Sequence, residues 1–550
     1  MKRKFLSLIL LLLCAVALTA CGSTKDPNKS NIRTNAGSKA DLRISFFDGG
    51  YGETWINNLV DRFEKAKGVK VEIVKSEQGD CGVSTYIKSG YNLCDIYIGD
   101  GILWQSYVQE DGGKLEDLTD VYEAVVETSN GPQKIKDFMD PNIVGFFYSQ
   151  KRLQDAVYSP WAMPWTAKPN AMAYNKDILT EIKHVSALPV NAECLGEDGK
   201  WVKPPLTYDD LIAFCEDCNA FNNNSAEKQA LNDTHTYVPF GWCGSINADS
   251  IGFLITSWWA EAQGLETSNY PGEGTYYDFH NFGNTTNSNV GQTLDLGVFK
   301  QSGLKLAYNK LWELMVDKNT HKFKNTIENA YNIKLQELEQ LFVANKVEVK
   351  PVLSIASSYL ENEVRKNRYL DSDLDGVQDV NFEFMNVPKL NKNSEDIIYV
   401  NFSDSIIIPK AASHKELAKE FLIFMCSEEE VINFSKETQG GIRPFNVDVR
   451  NYDFEYTDFA KSLFDVYYNS KHVVEYPKNV ESYAQVSHVF RYNNPSYHGS
   501  VDFLTILNFL RDPGAFETPA DAIYDAVMRA VKQDQYDYWL KKFKLTDITK

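Results

Sequence analysis

The sequence predicts an α/β protein organised on parallel strands, and three observations carry that prediction. From Asp41 onward, short runs with the two-residue period of strands alternate with stretches of helical period. The strand-like runs end in turns rich in Gly and Asp, at Asp48-Gly49-Gly50-Tyr51-Gly52 and at Gly99-Asp100-Gly101. The chain has 550 residues, 43% hydrophobic and 24% charged, which is enough for two large globular domains.

The chain begins with Lys2, Arg3 and Lys4, then an apolar run from Phe5 to Leu18, then Leu18-Thr19-Ala20-Cys21-Gly22-Ser23. A basic start, an apolar centre and small residues at the end make an export signal over residues 1–20. The run is too short to span a bilayer stably, which takes about 20 apolar residues. Leu-Thr-Ala-Cys resembles a bacterial lipobox, which implies that the Cys21 thiol is acylated, with palmitate among the chains, and that the mature protein is held on the extracytoplasmic face of the cell membrane. Residues 21–40, rich in Ser, Asn, Lys, Gly and Pro after the cysteine, read as a flexible tether. The formal net charge is −19, and removal of the signal strips three more positive charges. Such a surface repels nucleic acid and anionic headgroups, so contact with the membrane is through the anchor alone.

Seven of nine cysteines lie beyond Cys14 and Cys21: Cys81, Cys94, Cys194, Cys215, Cys218, Cys243 and Cys426. An odd number cannot be fully paired. Cys215 and Cys218 form a C-x-x-C, but they recur with Leu211 at helical spacing and read as small core hydrophobes. No second C-x-x-C or spaced His pair completes a metal site.

Leu42, Ile44 and Phe46 alternate as a strand. Trp55, Ile56, Leu59, Val60 and Phe63 repeat as a helix face that Gly68 ends. Val69, Val71 and Ile73 restart a strand, and Asp95 to Ile98 make a third. Parallel sheets bind ligands beyond the carboxyl ends of their strands, which places Asp48, Tyr51, Gly99 and Asp100 beside a cleft. Pro204-Pro205-Leu206-Thr207-Tyr208-Asp209-Asp210 opens a helix with Thr207 and Asp210 at capping-box spacing. Trp258-Trp259 lie in a helix-like stretch and read as core. Near the end, Thr518, Pro519 and Asp521 open a last helix.

Several segments match a known family in order. They are Gly112-Gly113-Lys114-Leu115-Glu116-Asp117-Leu118-Thr119, Tyr174-Asn175-Lys176-Asp177, the Pro205 to Asp210 helix start, Ile408 to Leu422, and Gly440-Gly441-Ile442-Arg443-Pro444. Together they resemble the extracellular solute-binding proteins of carbohydrate ABC importers, the maltose-binding-protein-like family. The likeness covers Asp41 to about Asp448, while Asn451 to Lys550 matches nothing in the pattern. It implies a periplasmic-binding-protein-like α/β fold, with two α/β lobes joined by hinge strands and a ligand cleft between them. It also implies crossings near 168–173, 354–358 and 405–409. Residues 41–170 and 358–407 would form the N-terminal lobe, and 171–357 and 408–550 the C-terminal lobe. The implied protein is a non-enzymatic, lipid-anchored monomer that passes a carbohydrate, an oligosaccharide, to the permease subunits of an ABC transporter.

A sugar has an apolar ring face and a belt of hydroxyls, so its site needs aromatic platforms with polar edges. Trp104, Trp165, Trp242, Tyr359 and Phe402 fall on loops at strand ends, and Asp48, Asp100, Lys168 and Arg443 supply edges. No G-x-S-x-G, H-E-x-x-H or Walker A sequence nominates an enzyme. A secreted glycan-active enzyme and a surface adhesion protein are the rival classes, and a peptide or polyamine is the rival ligand. Asp371, Asp373, Asp375, Val377 and Asp379 fit the spacing of a calcium loop with Gly376 at its turn, although Phe382 stands where a bidentate Glu belongs. A structural calcium is the only cofactor expected; an acidic surface turn is the alternative.

Two outcomes follow from these motifs. Cys21→Ser releases the protein from membranes without changing ligand affinity; a variant that still sediments with membranes contradicts the anchor. Chelator lowers the melting temperature, for a site of roughly 10⁻⁴–10⁻³ M affinity, while sugar affinity at low temperature is kept. A melting curve indifferent to calcium and chelator removes the metal.

Overall fold

The computed structural model describes residues 40–474, apart from 90–92, 103, 109–112, 150–156, 224–227, 229–233, 244–250, 278–300, 321, 329, 344–347, 368–380 and 403. Cys21, the Asp371–Asp379 stretch expected to bind calcium and the helix expected from Thr518 lie outside the described residues.

The first sheet is built from the segments nearest the start. β1 (Leu42–Phe47), helix α1 (Thr54–Lys67), β2 (Val71–Ser76) and β3 (Ile96–Gly99) follow the expected alternation. All five apolar positions of the α1 stripe are buried. At about 1.5–3 kcal/mol for each such side chain, that stripe is what fastens the helix to the sheet. Gly68 closes α1 in the left-handed region at φ 70°, its N–H reaching the Glu64 carbonyl. β2 and β3 both pair with β1 in parallel.

The chain then leaves through β4 (Met163–Pro164) and enters β5 (Lys168–Asn175), which belongs to a second sheet. Helix α2 (Tyr208–Asn223) opens on the expected capping box: the Asp210 carboxylate accepts from Thr207 N at 2.9 Å, and Asp210 N donates to Thr207 Oγ1 at 3.2 Å. Cys215 and Cys218 face the core from this helix as free thiols. β6 (Thr236–Gly241), α3 (Gly252–Gln263), α4 (Ser302–Met315), α5 (Leu335–Val343), β7 (Val349–Ser357) and α6 (Leu360–Asn367) follow. On α3 both Trp258 and Trp259 are buried, with indole N–H groups donating to the Pro388 carbonyl and Gln301 Oε1.

β8 (Phe382–Met385) and β9 (Ile397–Asn401) both pair antiparallel with β5, whereas β10 (Ser405–Ile407) returns to pair with β3 and β4 in the first sheet. Helices α7 (Lys415–Met425) and α8 (Glu428–Thr438) then pack on α1. Arg62 of α1 binds Glu430 Oε2 at 2.6 Å and Glu437 Oε1 at 2.8 Å, which fixes α8 in place. Finally α9 (Asp458–Asn469) covers β8, and β11 (Lys471–Val474) adds to β9. The first sheet runs β2-β1-β3-β10-β4, and the second β6-β7-β5-β9-β11 with β8 beside β5.

This corrects the lobe boundaries expected from the sequence. Residues 382–401 belong with the second sheet rather than the first lobe, and 408–438 pack with the first sheet rather than the second lobe, while 405–407 join the first sheet as expected. Strand period tells that a segment is extended but not which edge it joins, and the unpaired flank of β5 is where β8 and β9 find their hydrogen bonds. Among the described residues, no helix is long and apolar enough to cross a membrane.

Candidate functional site

The register puts the ends of both sheets at one seam. Parallel strands β1 and β3 end just before Asp48 and Asp100. Antiparallel β10 begins there, with Ser405 opposite both Gly99 and Pro164. In the second sheet β6 and β7 end at Gly241 and Ser357; Ser357 lies opposite Asn170, and Asn401 opposite Lys168. Two short connections, Pro164 to Lys168 and Asn401 to Ser405, therefore join the sheets where the parallel strands of each come to their carboxyl ends. That is the edge at which open α/β sheets bind ligands.

A buried charge cluster sits on these connections. Lys168 Nζ contacts Asp404 Oδ2 at 2.6 Å, with the Asp404 side chain fully buried. Burial alone would lower the Lys168 pKa, but the Asp404 and Asp100 carboxylates outweigh it and keep the ammonium charged. Burial pushes Asp404 well above the ordinary carboxylate range; the charge of Lys168 opposes the shift and that of Asp100 adds to it.

The loop after β1 reaches this cluster because it is glycine. A Cβ on Gly49 would lie 3.3 Å from Lys168 Nζ and 3.4 Å from both Asp404 Oδ2 and Trp165 Cζ2. Gly50 has φ +98°, and a Cβ there would stand 2.8 Å from the Tyr359 ring. Asp48 Oδ1 accepts from Gly52 N at 2.7 Å and closes the turn. Tyr51 then threads between the connections: its hydroxyl meets Ser358 Oγ at 2.6 Å and accepts from Thr166 Oγ1 at 3.2 Å. Burial raises the Tyr51 pKa against the pull of Lys168, so the phenol stays protonated. Lys168 Nζ stands 6.0 Å from the Tyr51 ring centre and 5.7 Å from that of Tyr359, and the two rings meet edge-on at 6.1 Å.

The residues nominated from the sequence divide by depth. Asp48, Asp100 and Tyr359 are partly exposed at the seam, as are Asn170 and Asn401. Lys168 lies just beneath, and Tyr51 below it. Trp165 is fully buried: it stacks on Trp55 at 5.4 Å, and its Nε1 donates to the Gly99 carbonyl at 3.3 Å. Its ring supports the floor instead of presenting a platform. Phe402 is packed against Phe146 at 5.4 Å, in a cluster that also takes in Phe147 and Trp104. Trp242 follows β6 at the second-sheet edge but is fully buried, 6.3 Å from Phe323. Arg443 is buried in the first lobe. A strand-end position says where a backbone goes, not which way its ring turns, and large rings turn inward because they bury the most area. Asp404, Thr166 and Ser358 were missed. Each flanks a crossing that the sequence did place, and a buried polar residue beside a hinge is the signal that points to them. Among the described residues, no group of three or more His, Cys, Asp or Glu side chains is placed to hold a metal.

Residues 49–227, from the glycine loop through the first connection to α2, match the family described as bacterial extracellular solute-binding protein. Similar solved structures include maltose-bound MalE3 of T. maritima, at 14% identity and TM-score 0.54, covering 89% of this chain and 98% of that one. RafE in complex with raffinose is similar at 13% identity and TM-score 0.53, covering 89% and 98%. A chitin oligosaccharide binding protein is similar at 14% identity and TM-score 0.53, covering 89% and 99%. At such identities the likeness is one of fold, and the fold is periplasmic-binding-protein-like, as expected from the sequence motifs. No curated protein matches the chain.

The pair of crossings generates a stability test. Lys168→Met strands Asp404 as a buried, unpaired carboxyl and should cost about 3–5 kcal/mol in urea unfolding, as breaking a buried pair does. Adding Asp404→Leu should recover a large part of it. A double variant as unstable as the sum of its parts contradicts the pairing.

Proposed function

We propose that this chain is the substrate-binding protein of a carbohydrate ABC importer, anchored through Cys21 outside the cytoplasm, capturing an oligosaccharide and handing it to membrane permease subunits without covalent chemistry. The observation that carries the reading is the seam: two α/β sheets turn their carboxyl ends to one another across two short connections, with carboxylates, amides and one accessible aromatic ring on its surface. The matched family and the sugar-bound structures of this fold support the same class of ligand.

Each part of the seam has a role in that capture. Asp48 and Asp100 accept hydroxyl hydrogens, Asn170 and Asn401 give and accept, and Tyr359 offers its ring to the apolar face of a sugar. Trp165, Tyr51 and Lys168 hold the first-lobe wall from below, while Phe402, Arg443 and Trp242 act through the packing of their lobes. Closing the seam excludes water from these groups, which strengthens each hydrogen bond to the ligand.

A thermal-shift panel of neutral oligosaccharides should find a ligand that raises the melting temperature, because it binds the folded state alone. Tyr359→Ala should then weaken that ligand by tenfold or more, a loss of about 2–4 kcal/mol for a stacking aromatic, with the unliganded melting temperature little changed. Release of smaller sugars from the panel would make the protein an enzyme, and a panel without any shift would leave the carbohydrate reading without support.

A further inference from the structure

Three buried hydrogen-bond donors in the first lobe, on two side chains packed against each other, have no partner. Arg443 follows the Gly440-Gly441 turn and is 2% exposed, and its Nε and Nη1 groups have no hydrogen-bond partner. The indole Nε1 of Trp55, on α1, is likewise buried and without a partner. The Arg443 guanidinium carbon lies 5.6 Å from the Trp55 ring centre and 5.0 Å from that of Phe434 on α8. The ring faces attract the cation but give its N–H groups no lone pair to bond. Burial pushes the Arg443 pKa down to about 10, which leaves the group charged at neutral pH.

Nearby acceptors are engaged, except that Glu437 on α8, whose Oε1 is held by Arg62 Nη1 at 2.8 Å, keeps its second oxygen Oε2 buried without a partner. Glu430, whose charge acts on Arg443, is held by Arg62 through Nε at 2.8 Å and Nη2 at 2.6 Å. The Ile442 carbonyl accepts from Ala167 N at 2.8 Å and Thr166 Oγ1 at 3.1 Å. The Arg443 carbonyl accepts from Phe445 N at 2.8 Å. Burial holds the Cys426 thiol up at about 12, so it brings no negative charge to the arginine. Asn57 Oδ1 is an unpartnered acceptor on α1, but it stands two residues from Trp55 and faces around the helix from it.

We propose that Arg443 and Trp55 form a buried site for a small inorganic anion, with chloride as the occupant. The set is donor-only and carries one positive charge, which selects an acceptor-only, singly negative guest. Water fits it less well, because a water also needs acceptors for its own two hydrogens. The site lies beneath Trp165, which stacks on the other partner, Trp55, so its occupancy sets the rigidity of the wall under the seam. The inference does not depend on what the seam binds.

The test compares unfolding of the ligand-free protein in sodium chloride and in sodium gluconate at equal ionic strength, gluconate being too large to enter. For a dissociation constant of about 10 mM, about 100 mM chloride raises the folded-to-unfolded ratio about tenfold. The gain should vanish in Arg443→Met and shrink in Trp55→Phe, which keeps a ring and loses the N–H. No difference between the salts in wild type overturns the proposal. An equal gain in Arg443→Met overturns it too, as a general salt effect. If Arg443→Met does not fold, Trp55→Phe decides: an undiminished gain there rejects the site.

Discussion

The buried contact between Lys168 and Asp404 is the constraint on which the rest of this molecule turns. The two residues sit on different connections between the sheets, about 240 residues apart in the chain, and their charges can be buried only together. Once paired, they hold the two connections side by side at the waist. The charge of Asp100, the residue after β3, acts on the same pair, so the carboxyl edge of the first sheet faces the same point.

What surrounds the pair follows from its demands. A buried ammonium needs its approach kept free of side chains, and Gly49 and Gly50 supply that freedom in the loop that passes over it. The hydroxyl chain Thr166–Tyr51–Ser358 then ties the first connection and the end of β7 to the same loop. Polar groups buried this deep are stable when bonded, and the hydroxyl chain supplies those bonds to Tyr51. The glycine loop, the first connection and the end of β7 are thus held to one another at the first-lobe wall of the seam.

The aromatic residues are divided between support and surface. Trp55, Trp165, Phe46, Tyr51 and Phe434 pack as one cluster under the glycine loop, through a stacked pair and edge contacts. Of the five strand-end aromatics, Tyr359 alone reaches the seam surface. A binding wall made this way presents mainly hydrogen-bonding groups, with its rigidity coming from rings below, an arrangement suited to a ligand rich in hydroxyls.

The sequence by itself determined the local structure and the class of fold. The α1 stripe, its Gly68 cap, the Thr207–Asp210 box and the inward-facing C-x-x-C depend on neighbours within one helical turn, and periodicity reads such neighbours directly. The order of the family-like segments carried the two-lobed architecture with it. Only the tertiary structure decided which sheet each late strand joins, which strand-end rings turn inward, and that Asp404 stands against Lys168. Those outcomes depend on residues hundreds of positions apart competing for the same edge, the same volume or the same charge. Pairing of strands and burial of charge are properties of three-dimensional neighbours, and a one-dimensional pattern holds no record of them.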